Sequence, residues 1–170
     1  DISCLVGYAG AGKTYTMSAL NEVYARNGIK VYGTSISGKA VQGLQDEAGI
    51  QSNTIAKMVQ DYKSGSDESL PKNNSVLVID EAGMVGIDDM LTLERITKER
   101  NLKLVLVGDP RQLEAISKGN PFKAILEQSG FATMKSITRQ KDERDQKATV
   151  WLGQGKTGLA IDYYHDKGNI

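Results

Sequence analysis

Residues Gly7–Thr14 read GYAGAGKT and fit the spacing G-x-x-x-x-G-K-[ST]. Gly7, Gly10 and Gly12 let the backbone bend tightly and take positive φ without a Cβ clash. Consecutive amides can then turn inward as an anion nest. The flanks suit this use. Ile2–Val6 (ISCLV) is a short apolar strand candidate, and a helix pattern runs on from Lys13, with Met17, Leu20, Val23 and Tyr24 on one stripe. The helix N-terminus would aim its dipole at a bound phosphate. The expected nucleotide-binding set is Gly7, Ala9, Gly10, Ala11, Gly12, Lys13, Thr14 and Tyr15. Lys13 adds a point charge for the β- and γ-phosphates, and Thr14 a hydroxyl for Mg²⁺. The bland alternative is a flexible Gly/Ala loop that matches by chance.

The rest of the chain bounds what surrounds this loop. A length of 170 residues suits one domain with a real core. Formal net charge is +0, so any attraction to nucleic acid must come from a local surface. The single cysteine, Cys4, lies in the first strand candidate and reads as a buried thiol of a reducing compartment. No apolar run approaches the ~18 residues of a membrane span, and no signal peptide is apparent. A cytoplasmic location without membrane contact is the expectation. The chain opens at Asp1 and enters a strand almost at once, as a piece of a longer protein would.

Strand and helix signals alternate, which predicts an α/β fold with a mainly parallel sheet. Strands are expected at Ile2–Val6, Ile29–Ile36, Ser75–Asp80, Leu102–Val107 and Phe131–Ile137. Helices are expected from Lys13 to Asn27-Gly28, from Ser37-Gly38 to Gly49, from near Thr54, over Ile87–Arg100, and from Asn120-Pro121. Two short helices close the chain, at about Glu143–Leu152 and Thr157–Asp166. Ser64–Asn74 (SGSDESLPKNN) reads as a surface loop or a partly disordered stretch.

Ser75–Asp80 is an apolar run that ends in an acid, and Glu81 follows. Ligands of open parallel sheets bind at the C-terminal ends of strands. Asp80 is therefore placed to hold Mg²⁺, and Glu81 to orient and deprotonate an attacking water. A helix N-cap pair is the plain alternative. Asp80-Glu81-Ala82-Gly83 also fits D-x-x-G, a GTPase pattern, but no N-K-x-D guanine-reading motif follows. Leu106–Leu113 (LVGDPRQL) repeats the arrangement on the next strand, with Gln112 able to sense a γ-phosphate or a water. Arg139, in ITRQ, could place a planar cation near a transferring phosphoryl group or be a solvated charge.

In the order GYAGAGKT, TSISGKA, VLVIDEAGMV, LVGDPRQLEAI, ITRQ, the chain resembles the first RecA-like motor domain of superfamily 1 DNA helicases of the RecD-like branch, and within it the helicase portion of TraA-type conjugative relaxases. ISGKAVQGLQDEAGI and GNPFKAI extend the resemblance beyond the motifs. It implies a P-loop NTPase with a five-stranded parallel sheet flanked by helices, in the order 5-1-4-3-2 by chain position. It also implies ATP and Mg²⁺ as cofactors and a helicase motor, 5′-to-3′ in polarity, over residues 1–140, with a helical extension over 141–170. Lys13 and Thr14 would be the Walker A pair and Asp80 and Glu81 the Walker B pair. Gln112 would couple γ-phosphate to DNA, and Arg139 would be the motif IV arginine. Ser37, Gly38 and Lys39 would meet the single-stranded DNA backbone, and Thr54 would do likewise.

The match stops in four places. Thr138 stands where several relatives carry an aromatic, the adenine-reading glutamine motif would lie upstream, and no second-motor motif is found. The lone His165 cannot supply a relaxase metal cluster and reads as a surface helix residue. The partners implied are single-stranded DNA, a second RecA-like domain and a relaxase domain in the same full-length chain. A nucleotide kinase or GTPase, or a non-catalytic nucleotide-binding module, remain the other readings of the same loop.

Overall fold

A computed structural model describes residues 1–7, 11–109, 121–134, 147, 151 and 156–167. Two strands run through the middle with apolar side chains at nearly every position, β4 (Val76–Ile79) and β5 (Lys103–Gly108). Such strands need cover on both faces. The chain supplies it by alternating strands with helices. β1 (Ile2–Gly7), β2 (Val31–Ser35), β3 (Gln51–Thr54) and β6 (Ala132–Met134) complete a six-stranded sheet in the order β3-β2-β4-β5-β1-β6, every pairing parallel.

The period of two divides the side chains between two cores. Leu77, Ile79, Leu104 and Leu106 face one side, where they meet Ile55, Met58, Leu93, Ile96 and Phe122. These come from α3 (Ile55–Ser64), α4 (Ile87–Glu99) and α5 (Pro121–Ser129). Val76, Val78, Val105 and Val107 face the other side, against Met17 and Leu44. Those belong to α1 (Lys13–Arg26) and α2 (Gly38–Asp46). A further helix, α6, spans Thr157–Asp166, and His165 on it is exposed, as expected. Cys4 is buried, also as expected. Among the described residues, no helix is long and apolar enough to cross a membrane.

The structure departs from the sequence reading at two points and decides between the two readings of a third. The expected five strands keep their relative order, but β3 adds a sixth at the edge beyond β2. QSNT is short and polar, so no hydrophobic period marks it. It becomes a strand through pairing with β2 and through Gln45, whose Nε2 donates to the Ser52 carbonyl at 2.8 Å. Val23, placed on the apolar stripe of α1 by spacing, is exposed, while Met17 is buried and Leu20 and Tyr24 are partly so. The 64–74 stretch is a pinned loop. Asp61 accepts from Lys57 Nζ at 3.0 Å and from the Ser69 amide at 3.1 Å. Arg100 pairs with Asp67 and donates to the Pro71 carbonyl at 3.0 Å, and Leu70 is buried beneath.

β2 and β3 approach closely because Gly33 has no side chain. A Cβ there would lie 2.3 Å from Ser52 Oγ, 3.0 Å from Leu44 Cδ1 and 3.1 Å from Ile50 Cγ2. Gly33→Ala is expected to lower stability by about 1–3 kcal/mol, the usual cost of overpacking. A urea titration of the chain measures it, and an unchanged midpoint would mean that the β3 edge yields freely.

Candidate active site

All strands are parallel, so their C-terminal ends reach one edge of the sheet and the loops that follow share one crevice. β1 arrives there at Gly7, β2 at Ser35, β3 at Thr54, β4 at Ile79 and β5 at Gly108. A Cβ on Gly7 would sit 3.2 Å from Met134 Cβ and 3.4 Å from Ala11 Cβ, so a larger residue would crowd the end of β1. Gly12 takes φ 77° and ψ 26° as the N-cap of α1. It offers no capping side chain, which leaves the first amides of α1 directed at the loop. Lys13 Nζ donates to the Gly7 carbonyl at 2.8 Å and so spans the loop. Thr14 is half-buried in the first turn of α1. Tyr15 beside it is exposed. Ala9 and Gly10 lie outside the described residues.

Asp80 continues β4 past its last residue. Its amide donates to the Thr34 carbonyl on β2 at 2.9 Å, and its Oδ1 accepts from the Glu81 amide at 2.9 Å. Burial holds the Asp80 carboxyl above its ordinary pKa, and the neighbouring Glu81 charge adds to this. The Glu81 amide and the Lys13 charge act the other way, which places Lys13 and Asp80 in one electrostatic site. A half-buried carboxylate whose charge is opposed by burial is a candidate ligand for a divalent cation. Among the described residues, no group of three or more His, Cys, Asp or Glu side chains gathers. Magnesium suits such a site, because it retains waters and takes phosphate oxygens as ligands.

Glu81 is unlike its neighbours. Its backbone is left-handed, at φ 54° and ψ 36°. Among the described residues, the other two non-glycine residues with positive φ are Asn74 and Asn101, a residue type that tolerates it. The chain is closely packed just beyond it. A Cβ on Gly83 would lie 3.2 Å from the Asp109 carbonyl, and one on Gly108 3.0 Å from Phe122. In this backbone state Glu81 Oε2 accepts from both Ser35 Oγ and Ser37 Oγ, each at 3.1 Å.

Of the residues expected at DNA, Ser37 is the N-cap of α2. Its hydroxyl accepts from the Ala40 amide at 3.1 Å while donating to Glu81. Gly38 and Lys39 are exposed in the first turn of α2. Thr54 is the N-cap of α3, and its hydroxyl accepts from the Lys57 amide at 3.3 Å. Thr54 pairs in register with Ser35 and so belongs to the same edge, one strand further from β4. Gln112 and Arg139 lie outside the described residues. Ser35 and the buried Asp109 are site-edge residues that the motifs did not single out. Ser35 carries no motif signal of its own; it reaches the site because Thr34 on β2 pairs with Ile79, the last residue of β4.

The raised Asp80 pKa has a consequence for stability. A carboxyl whose folded pKa exceeds its unfolded value makes the folded chain hold its proton more tightly. The cost of the ionised group is therefore present at neutral pH and fades as pH falls through the folded pKa. Asp80→Asn is expected to raise the nucleotide-free melting temperature at about pH 7, with the gain vanishing in acid, and to lose Mg²⁺-dependent nucleotide binding. Calorimetry across pH checks this, and an equal or lower melting point for the variant at neutral pH would refute it.

The AAA domain family profile matches residues 1–170. The conjugal transfer protein TraA of Rhizobium radiobacter is 40% identical over 163 residues, covering 96% of this chain and 15% of TraA. The multifunctional conjugation protein TraI of Escherichia coli is 35% identical over 147 residues, covering 81% of this chain and 8% of TraI. The chain thus spans less than a fifth of either relative. The crystal structure of Pif1 helicase from Candida albicans aligns over 86% of this chain and 39% of its own, with TM-score 0.59 and 22% identity. That likeness shows the fold alone, a parallel sheet flanked by helices. A phosphate loop on β1, an acidic pair on β4 and a profile match over the whole length place the chain in the AAA domain family.

Proposed function

We propose that the chain is the ATP-binding and ATP-hydrolysing motor domain of a DNA helicase within a conjugative transfer protein. The observation that carries this reading is the meeting, at one sheet edge, of the Lys13 loop, the Asp80-Glu81 pair and the N-terminus of α2. Lys13 and the α1 amides bind the phosphates. Thr14 and Asp80 hold Mg²⁺, which when bound neutralises charge on the phosphate oxygens. Glu81 takes the proton of the attacking water. Gln112 senses the γ-phosphate and Arg139 stabilises transition-state charge. Ser37, Gly38, Lys39 and Thr54 meet the backbone of single-stranded DNA, where helix N-termini and a nearby lysine suit phosphate.

Residues 1–140 form the ATPase domain and residues 141–170 a helical extension toward a second RecA-like domain, with a relaxase domain elsewhere in the same chain. The motor moves 5′-to-3′ in the cytoplasm. The names of the TraA and TraI relatives support the conjugative setting.

The test is DNA-stimulated ATPase of the full-length protein. Glu81→Gln is expected to keep ATP binding and to lose turnover by about 10²–10⁴-fold, the range of general-base catalysis. Lys13→Ala is expected to lose both binding and turnover. Arg139→Ala is expected to slow turnover with a modest change in binding. Wild-type turnover in Glu81→Gln would remove Glu81 from the base role, and guanine-only binding would sink the helicase reading.

A further inference from the structure

One side chain touches both ends of the phosphate loop. Gly7 opens the loop and pairs in register with Met134, the last residue of β6. A Cβ on Gly7 would meet Met134 Cβ at 3.2 Å, so the two chains lie close there. At the far end, Thr16 stands about one turn into α1. Its hydroxyl lies 3.2 Å from the Gly12 carbonyl and 3.6 Å from Met134 Sδ, and it can donate to either. A hydroxyl has one proton, so the two acceptors share it. The Gly12 carbonyl also accepts from the Thr16 amide at 3.0 Å, which closes the first turn of α1. The Gly7 carbonyl accepts from Lys13 Nζ at 2.8 Å. Met134 therefore packs against the two residues whose carbonyls set the base of the loop.

Met134 is also within reach of small solutes. Of the five methionines, Met17 and Met58 are 1% exposed and Met90 5%. Met84 is 38% exposed and lies beyond β4. Met134 is partly exposed at the end of an edge strand, which among the described strands pairs with β1 alone. It combines solvent access with contact to the loop. A thioether is a weak acceptor, whereas a sulfoxide is polar and chiral.

We propose that Met134 is a modification site, oxidised by hydrogen peroxide to the sulfoxide, and that the sulfoxide weakens nucleotide binding by drawing Thr16 from the Gly12 carbonyl. The sulfur lone pair attacks one peroxide oxygen. The S–O bond forms as the O–O bond breaks, and the departing hydroxide takes the proton of the transferred hydroxyl and leaves as water. Sulfur loses two electrons and the peroxide gains them. The new oxygen competes for the single Thr16 proton at a contact with little slack toward Gly7. The inference rests on the reading of Gly7–Thr14 as the nucleotide site and adds a reversible chemical control to it.

The experiment treats the full-length protein with graded hydrogen peroxide. Peptide mass spectrometry follows the gain of one oxygen atom at Met134 and at Met84. Titration with a fluorescent ATP analogue gives the Kd at each dose. Met134→Leu removes the sulfur and nearly conserves volume, a swap that packed sites tolerate. Met84→Leu removes the more exposed methionine. A pair of methionine sulfoxide reductases, one for each epimer, reverses the modification.

The Kd is expected to rise about tenfold as Met134 is oxidised, the order that one disrupted hydrogen bond gives. It should return after reductase treatment. Met84→Leu should respond as wild type does. Met134→Leu should bind as untreated wild type and keep its Kd under peroxide.

Met134 that stays reduced at doses that oxidise Met84 would overturn the site. Oxidised Met134 with an unchanged Kd would overturn its effect on the loop. So would a rise in Kd that the reductases do not reverse, or a Met134→Leu variant that loses affinity under peroxide as wild type does. If Met134→Leu binds poorly before treatment, the Kd of Met84→Leu against the oxidised fraction of Met134 decides instead. Untreated wild type that binds no nucleotide would defeat the nucleotide-site reading, and the mass at Met134 would still decide whether peroxide reaches it.

Discussion

Two-sided burial of β4 and β5 is the constraint on which the rest depends. Their alternating residues enter both cores, with Leu and Ile on one face and Val on the other. Neither strand can be an edge, and neither can leave a face to water. Parallel pairing follows from the helices that must cross over to cover those faces. Once all strands run the same way, their C-terminal ends share one edge. The active-site crevice is thus a by-product of how the core is covered. Residues as distant in sequence as Gly7, Ser35 and Asp80 become neighbours without any interaction selected to join them.

The same edge concentrates conformational cost. Gly7 is crowded by Met134 and Ala11, Gly108 by Phe122, and Gly83 by the Asp109 carbonyl. Glu81 adopts a left-handed backbone between these approaches. Asp80 is an acid whose burial opposes its charge. Each feature is unfavourable by itself and stays because the strands beneath are rigid. An edge that holds a strained turn, an under-compensated carboxylate and helix amides without side-chain caps is prepared for a ligand that relieves all three.

Much of this was legible in the sequence because it is local. A phosphate loop is a run of consecutive residues whose glycines act through their own φ and ψ, so GYAGAGKT announces itself. The β4 and β5 strands are unbroken apolar runs, and the N-caps Ser37 and Thr54 sit where residue type and spacing put them. The relative order of the five expected strands was carried by the family resemblance. β3 was not legible, because QSNT has neither period nor hydrophobicity and is a strand only by its pairing with β2. Val23 misled for the opposite reason: it keeps the helical spacing of α1, but no partner lies beyond it.

By itself, the sequence determined which residue types could bind phosphate, hold a cation and accept a proton, since that chemistry resides in the side chains. Tertiary structure decided where those groups point. Nothing in the string Asp80-Glu81 says that the first carboxylate faces the Lys13 charge while the second is held by hydroxyls from β2. That division arises from the register of two strands brought together from 45 residues apart, Thr34 beside Ile79, and from the left-handed backbone of Glu81. A hydrogen bond between Ser35 and Glu81 is a non-local contact, and its geometry exists only after the sheet has formed.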